Sequence, residues 1–407
     1  MTLAQEILTK MMELPHRGSG TIYEEKAGEY LKNVYSYFGM RAKEVESRTL
    51  KNSLNLHLII SFALVLLTLL VNFLNITVLT LIVFVFSILV YLRLFGLPFR
   101  FLKSVKPTVS KNIYVDIPAA RQAKYTLVVT GHYDTGNDYG QIVGILGPIF
   151  NQLIASQFRD PNIRNITIPD FVNNPLIFAN ISFVLTLLSI FIPDTAGKFF
   201  FAFLAGVPLI VSILLLRNSN NRYSAGAYDN GVGTSLVVEL ASIFSKVPLT
   251  NTRLIFANVA AEETLTRGTI PLLNALNLDK STTLILDLDC IGEEEVVLMH
   301  SEPSYPLGLP TEYDSSFELL VEFADEFLAG NFKISASPAP TDNQEVLLNG
   351  YRVMGMVTTL PTQGYPAHYH STKDTIDRIK WDKVEQVRDF LAAFATFFDS
   401  VIEDYKP

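Results

Sequence analysis

Cysteine is nearly absent. Cys290 is the one cysteine among 407 residues, so no internal disulfide can form and the chain suits a reducing compartment. Charge is scarce too: Asp, Glu, Lys and Arg make up 18% of the residues, against about 25% in an average soluble domain. The net formal charge is −8, which leaves no positive field for phosphate backbones and excludes nucleic acid as a partner. With 49% apolar residues the chain has ample surface to bury, which excludes a disordered protein. At roughly 150 residues per domain the length allows two or three units.

The most informative absence is local. Between Lys51 and Arg93 there is no Lys, Arg, Asp or Glu. A membrane span needs about 20 mainly apolar residues, so this run is long enough for two, with a break near Asn72 and Asn75. A second apolar region starts at Pro175, breaks at Pro193-Asp194-Thr195-Ala196-Gly197-Lys198, and resumes through Leu216, with Pro208 inside it. Two transmembrane hairpins, 54–93 and 175–216, are therefore expected, four spans in all. Basic residues cluster outside both hairpins (Arg41, Lys43, Arg48, Lys51; Arg93, Arg100, Lys103, Lys106; Arg159, Arg164, Arg217, Arg222), whereas the turns within them hold only Lys198. By the positive-inside rule the remainder of the chain, including both termini, is expected in the cytoplasm of a cell bounded by this plasma or inner membrane. The first twenty residues show no basic start followed by an apolar stretch, so no cleaved signal is expected. Sequons at Asn75, Asn165 and Asn180 carry little weight, since each falls in or beside the bilayer or on the cytoplasmic side.

Outside the hairpins, segments 1–50, 107–139 and 219–407 read as one α/β domain in three pieces, with 140–174 a connecting insertion. Residues 2–39 have helical periodicity on both sides of a turn at His16-Arg17-Gly18-Ser19-Gly20. Strands are predicted at 113–117, 125–130, 253–260 and 283–288, and a helix at 235–244. Alternating strands and helices imply a three-layer domain, a central mostly parallel sheet flanked by helices, with ligands at the carboxyl ends of the strands.

Polar residues gather at those ends. Taken singly, each has an ordinary reading. His132, after the second strand, suits a hydrogen-bonded residue, Asp229 in Asp-Asn-Gly suits a helix cap, and Glu262-Glu263 suits a solvated pair. Ser371 to Asp374 has the pattern of a capping box. Asp289 ends an apolar run and needs a partner against desolvation, and Asp287, two residues earlier on the same face, is an alternative. Together, two imidazoles and several carboxylates make a nitrogen and oxygen donor set suited to Zn²⁺.

In this order the motifs resemble the co-catalytic zinc exopeptidase family that includes secreted bacterial aminopeptidases, glutamate carboxypeptidase and glutaminyl cyclase. The motifs are Arg17-Gly-Ser-Gly-Thr, Gly131-His132-x-Asp134, Asp229-Asn-Gly-x-Gly, Ala261-Glu262-Glu263 with Arg267-Gly268-Thr269, Asp289-x-Ile-Gly, Thr341-Asp342 and His370-x-x-x-Asp374. The resemblance spans 8–49, 107–139 and 223–400. It implies two zinc ions per chain, with His132 and Asp289 on one, Glu263 and His370 on the other, and Asp229 bridging. It further implies Glu262 as general base, Asp134 orienting His132, Asp374 in a helix cap behind His370, and Asp342 near the substrate pocket. Tyr365 is a candidate donor to the oxyanion; like His368, it also suits a plain loop residue. The chain departs from the family at Asn343, Leu265 and Tyr228, which bears on pocket shape and substrate.

The expected protein is a membrane-anchored zinc aminopeptidase with a peptide substrate and the lipid bilayer as its partners. The alternatives are a mononuclear glutaminyl cyclase-like enzyme and a non-catalytic scaffold. Oligomeric state is not readable. One topological condition follows: His132 and Asp229 flank the second hairpin, so they share a site only if that insertion crosses the membrane an even number of times.

Overall fold

The computed structural model describes residues 1–50, 53–74, 77–94, 107–138, 175–219, 222–264, 266, 268–304, 309–312, 316–337, 341–360 and 368–401. The connecting insertion at 140–174 and candidates Leu265, Arg267 and Tyr365 lie outside them.

The apolar runs form a nine-stranded sheet in the order β1 (Lys43–Leu50), β2 (Pro107–Ile117), β4 (Thr252–Val259), β3 (Tyr125–His132), β5 (Thr283–Leu288), β9 (Arg352–Thr359), β6 (Glu295–Ser304), β7 (Leu309–Glu312), with β8 (Lys333–Ala336) also paired to β6. The four central strands, β4-β3-β5-β9, run parallel. The mostly parallel sheet expected from the sequence is present, and at its flanks β1, β2, β6 and β7 join their neighbours antiparallel.

Alternate residues of the central strands face opposite layers. Leu127, Val129, Leu254, Phe256 and Met354 pack with helices α1 (Leu3–Met11), α2 (Ile22–Tyr37), α7 (Val232–Phe244), α9 (Ser316–Phe327) and α11 (Trp381–Val401). Val128, Ile255, Ile285 and Val353 pack on the other face against Leu273 of α8 (Thr269–Leu276) and Val346 of α10 (Asp342–Leu348). Fully burying one such side chain contributes about 1.5–3 kcal/mol, so the two faces together hold the strand ends at fixed height. Strand β5 coincides with its predicted bounds. Strands β2 and β3 run further than the periodicity indicated, β3 reaching His132 itself.

The charge-free runs form four helices, α3 (Ser53–Phe73), α4 (Thr77–Leu94), α5 (Pro175–Ser189) and α6 (Thr195–Ser219). Leu64, Val65, Phe183 and Leu209 form a small core among α3, α5 and α6. Ser182 donates to the Ala205 carbonyl at 2.8 Å, Asn72 Nδ2 donates to Ser189 O at 3.0 Å, and Lys198 Nζ donates to Asn72 O at 3.1 Å. The outward face is apolar and exposed, for example at Ile59, Leu70, Val78, Phe203 and Ile210. Among the described residues one helix, Thr195–Leu214, is long and apolar enough to cross a membrane; Ile59–Phe73 and Phe178–Ser189 are shorter apolar stretches.

Candidate metal centre

Five sequence segments converge at the carboxyl end of the parallel strands. His132 closes β3, and Asp289 follows β5. Glu262 and Glu263 follow β4, and Asp229 lies in a kink just before α7. The Asp-Asn-Gly segment is not a helix cap: Asp229 and Asn230 have non-helical backbone angles, and α7 starts behind them without a side-chain cap. His370 arrives from a turn after β9. His132 Nε2 lies 3.2 Å from Asp229 Oδ1 and 3.5 Å from Asp289 Oδ1. His370 Nε2 lies 3.1 Å from both Asp229 Oδ2 and Glu263 Oε2. Asp229 thus presents one carboxylate oxygen to each histidine. Donor atoms of His132, Asp229 and Asp289 fall within 4.8 Å of one another, as do those of Asp229, Glu263 and His370, and those of His132, Glu262 and Glu263.

Among the described residues, buried atoms here have no hydrogen-bond partner: Asp229 Oδ2, Asp289 Oδ1, Glu263 Oε1 and His370 Nε2. Leaving buried acceptors unpaired costs about 1–3 kcal/mol each, more when charged, unless a cation satisfies them. Burial raises Glu262 well above the usual carboxylate range, with Glu263, Asp342 and Asp289 adding to it, and raises Glu263 as well. Burial works against protonated His132 and His370, yet surrounding carboxylates hold both well above an ordinary imidazole. Asp229 is held below the ordinary aspartate range: burial opposes this, and the two histidines outweigh it. An excess of buried negative charge around unpaired donors fits a site for divalent cations.

Neighbouring groups orient this set. His132 Nδ1 is 3.6 Å from Asp134 Oδ1. Asp134 also accepts the backbone N–H of Glu262 on one oxygen and that of Glu263 on the other, both at 3.1 Å, and the Ser19 hydroxyl at 2.5 Å. Asp374 differs from its sequence assignment. It is not in a helix cap behind His370; its carboxylate accepts the N–H groups of Tyr228 at 2.8 Å and Asp229 at 3.1 Å. The Ser371–Asp374 stretch is a turn, with the Asp374 N–H donating to Ser371 O, and a short 3₁₀ turn (Ile376–Arg378) stands between it and α11. Asp287 is engaged elsewhere, accepting the Thr130 hydroxyl at 2.7 Å, which leaves Asp289 as the strand-end carboxylate facing His132.

Asp342 is bonded to Thr269 and raised by burial to about 7. Asn343 donates to Glu302 at 3.1 Å. His368 lies next to the centre in the chain, with a left-handed backbone (φ 71°). Left-handed angles also occur at Ala261 (φ 60°), Cys290 (φ 54°) and His370 (φ 49°), each at or beside a proposed ligand. Non-glycine residues adopt that region at a cost of about 1–3 kcal/mol, and such strain gathers at functional sites.

Two contributors were not assigned by the sequence. Arg17, fully buried, donates from Nε to Tyr133 O at 2.7 Å, and from its Nη atoms to Ala225 O at 3.3 Å and Gly226 O at 2.6 Å, tying the N-terminal turn to the loop that carries Asp229. The Tyr369 ring stacks on His370 at 3.9 Å. The glycine-flanked Arg17 was visible as a motif, but its partners lie over 100 residues away.

This fold and this ring of imidazoles and carboxylates define a metallo-exopeptidase. A profile of Peptidase family M28 matches residues 212–395, and the chain carries a domain of that family, a zinc metallo-exopeptidase. No curated protein matches the chain. Among solved structures, the LapA aminopeptidase of Legionella pneumophila is similar with a TM-score of 0.52 at 11% identity, over 98% of this chain and 70% of that one. A Bacteroides thetaiotaomicron glutaminyl cyclase bound to N-acetylhistamine gives 0.54 at 11% identity, over 97% and 96%. BSAP, a zinc aminopeptidase from Bacillus subtilis, gives 0.54 at 12% identity, over 98% and 94%.

Proposed function

We propose that this protein is a membrane-anchored aminopeptidase that removes N-terminal residues from short peptides with two zinc ions. The observation that carries the two-ion reading is Asp229, whose two oxygens face His132 and His370 separately. A shared anionic ligand offsets the repulsion between neighbouring cations. His132 and Asp289 would hold one ion, Glu263 and His370 the other. Zinc held there supplies Lewis acidity, polarising the scissile carbonyl and making water a stronger acid.

The chain's own groups handle the proton. Glu262 takes it from the attacking water at its carboxylate and passes it to the nitrogen of the departing peptide. Asp134 fixes the Glu262-Glu263 backbone, so base and ligand keep their spacing. Glu262 is half-buried.

The membrane reading draws on the exposed apolar faces of α3 to α6 and on parity. His132 and Asp229 meet across the second insertion, so α6 cannot cross a bilayer alone, and among the described residues α5 is its available return. We place the peptidase domain and both termini on the cytoplasmic side, following the basic flanks. Thr195→Cys should then react with an impermeant thiol reagent from the side opposite to Lys10→Cys.

The test is hydrolysis of aminoacyl-arylamides by zinc-loaded protein, with metal content measured alongside. Glu262→Gln should lower turnover about 10²–10⁴-fold while retaining zinc. Two zincs per chain support hydrolysis; one zinc with turnover of N-terminal glutamine peptides supports cyclisation. Parent-like turnover in Glu262→Gln would sink the assignment.

A further inference from the structure

The strand register fixes where the apolar helices leave the peptidase domain. In the sheet, Gly131 stands beside Asn258 and Asn258 beside Ile113, so these residues mark the level of the metal centre. β1 and β2 continue past that level as a two-stranded ribbon, Glu44 opposite Ile113 and Leu50 opposite Pro107. Six residues of strand rise about 20 Å, and α3 starts within three residues of the ribbon's end. The first hairpin therefore departs from the side of the sheet that carries the metal ligands.

The second hairpin departs from the same side. Its two roots are joined beside the centre: Asn137 bridges Tyr223, Asp138 N–H donates to Arg222 O at 3.0 Å, and Ser224 N–H donates to Gly136 O at 2.8 Å. Arg222 also meets Asp138 as an ion pair at 2.9 Å. This neck is pinned to the segment after His370, since Ala225 N–H and the Ser224 hydroxyl both donate to Ser371 O. The His16 ring stacks on Tyr223 at 4.1 Å from the other flank. Tyr223 is only four positions past Ser219 at the end of α6, a reach of at most about 14 Å.

Both posts lead from the catalytic edge towards the apolar helices, over about 20 Å at the first and at most about 14 Å at the second, so a gap of that order separates edge from helices. Resting on the membrane-anchored peptidase reading above, we propose that the substrates are peptides whose far end is embedded in the same lipid surface, presenting a free N-terminus across this gap. A soluble peptide must enter from the side between posts and lipid. An embedded one is delivered by lateral diffusion, at an effective concentration set by its spacer. An extended spacer of about six residues covers 20 Å, so a chain much shorter than this cannot reach the centre.

The test uses full-length, zinc-loaded protein in phosphatidylcholine vesicles. Its substrates are peptides with one N-terminal sequence and a C-terminal palmitoyl-lysine, separated by spacers of roughly 2, 8 or 30 residues to bracket the span; the unacylated peptide is the control. The spacer near eight should raise kcat/KM at least tenfold over the unacylated peptide, the shortest should be resistant, and the longest should fall between. Acylated peptide in separate vesicles should be cut no faster than the unacylated one. Equal kcat/KM at all spacers and without the acyl chain, with arylamides still cleaved in a Glu262-dependent way, would overturn this proposal and leave the peptidase reading standing. No hydrolysis of any peptide or arylamide would overturn both.

Discussion

The Asp374 carboxylate holds the backbone of Asp229: Oδ2 accepts the Asp229 N–H at 3.1 Å while Oδ1 accepts that of Tyr228. The side chain proposed to bridge is thus aimed by a residue 145 positions later in the chain. Asp374→Asn keeps the shape but replaces one of the two acceptors with a donor. Loss of such outer support costs about 10–100-fold in metal affinity, and competition with a chromogenic zinc chelator should show a drop of that order. Unchanged affinity would remove Asp374 from this role.

Arg17 supplies three donors to the carbonyls of Tyr133, Ala225 and Gly226. Burial lowers its pKa to about 10, against the pull of Asp374 and Asp134, so it stays charged at neutral pH. Arg17→Met leaves three carbonyls without that donor, at about 1–3 kcal/mol for each that stays unpaired. Urea denaturation should report a loss of several kcal/mol by that count, and zinc should bind more weakly because the Asp229 loop loses its anchor. Lysine cannot restore the fork geometry and should rescue only part of either loss.

Gly136 has no room for a side chain. A Cβ there would sit 2.6 Å from Glu263 Oε2 and 2.7 Å from Oε1, while its backbone needs no left-handed angle. Gly136→Ala should fold, since the obstacle is the far end of a side chain that can swing away. In swinging away, Glu263 leaves the proposed second ion's donor set. Elemental analysis should find about half the parent's zinc if two ions are held, by the shared-ligand argument. A parent-like zinc content would detach Glu263 from that ion.

Glu24 accepts Gly20 N–H at 2.6 Å and the Ser110 hydroxyl at 2.7 Å, and is raised to about 8 by burial and by the charge of Asp134. A carboxyl raised in the folded state holds its proton there after the unfolded chain has lost it. Its stabilising contribution is complete below the ordinary glutamate range and disappears as pH rises towards about 8. Glu24→Gln removes that titration. Relative to the parent, it should gain stability between pH 5 and pH 8.5, measured by denaturant midpoints. A parallel pair of pH curves would contradict this.

The sequence carried the centre of the sheet because buried parallel strands are continuous apolar runs, and β5 needed nothing else to set its bounds. It carried the donor residues because they sit where those runs stop. The antiparallel flanks were not legible, since the direction of β6 beside β9 is set by pairing across more than 50 residues of chain. Asp287 and Asp289 could not be separated either. Their difference lies on the adjacent strand, where Thr130 offers Asp287 a hydroxyl. Asp374 was misplaced for a related reason: a local capping pattern pointed to a helix, while its partners are the N–H groups of Tyr228 and Asp229. Local spacing reports local bonds, and these were not local.

The position of Asp229 between an early and a late histidine has a consequence for biosynthesis. As the polypeptide leaves the ribosome, His132 emerges first, the bridging carboxylate follows nearly 100 residues later, and His370 trails by another 141. Until that last imidazole docks, a nascent chain lacks the full donor set of the proposed centre, which is therefore completed only after both apolar insertions have been synthesised.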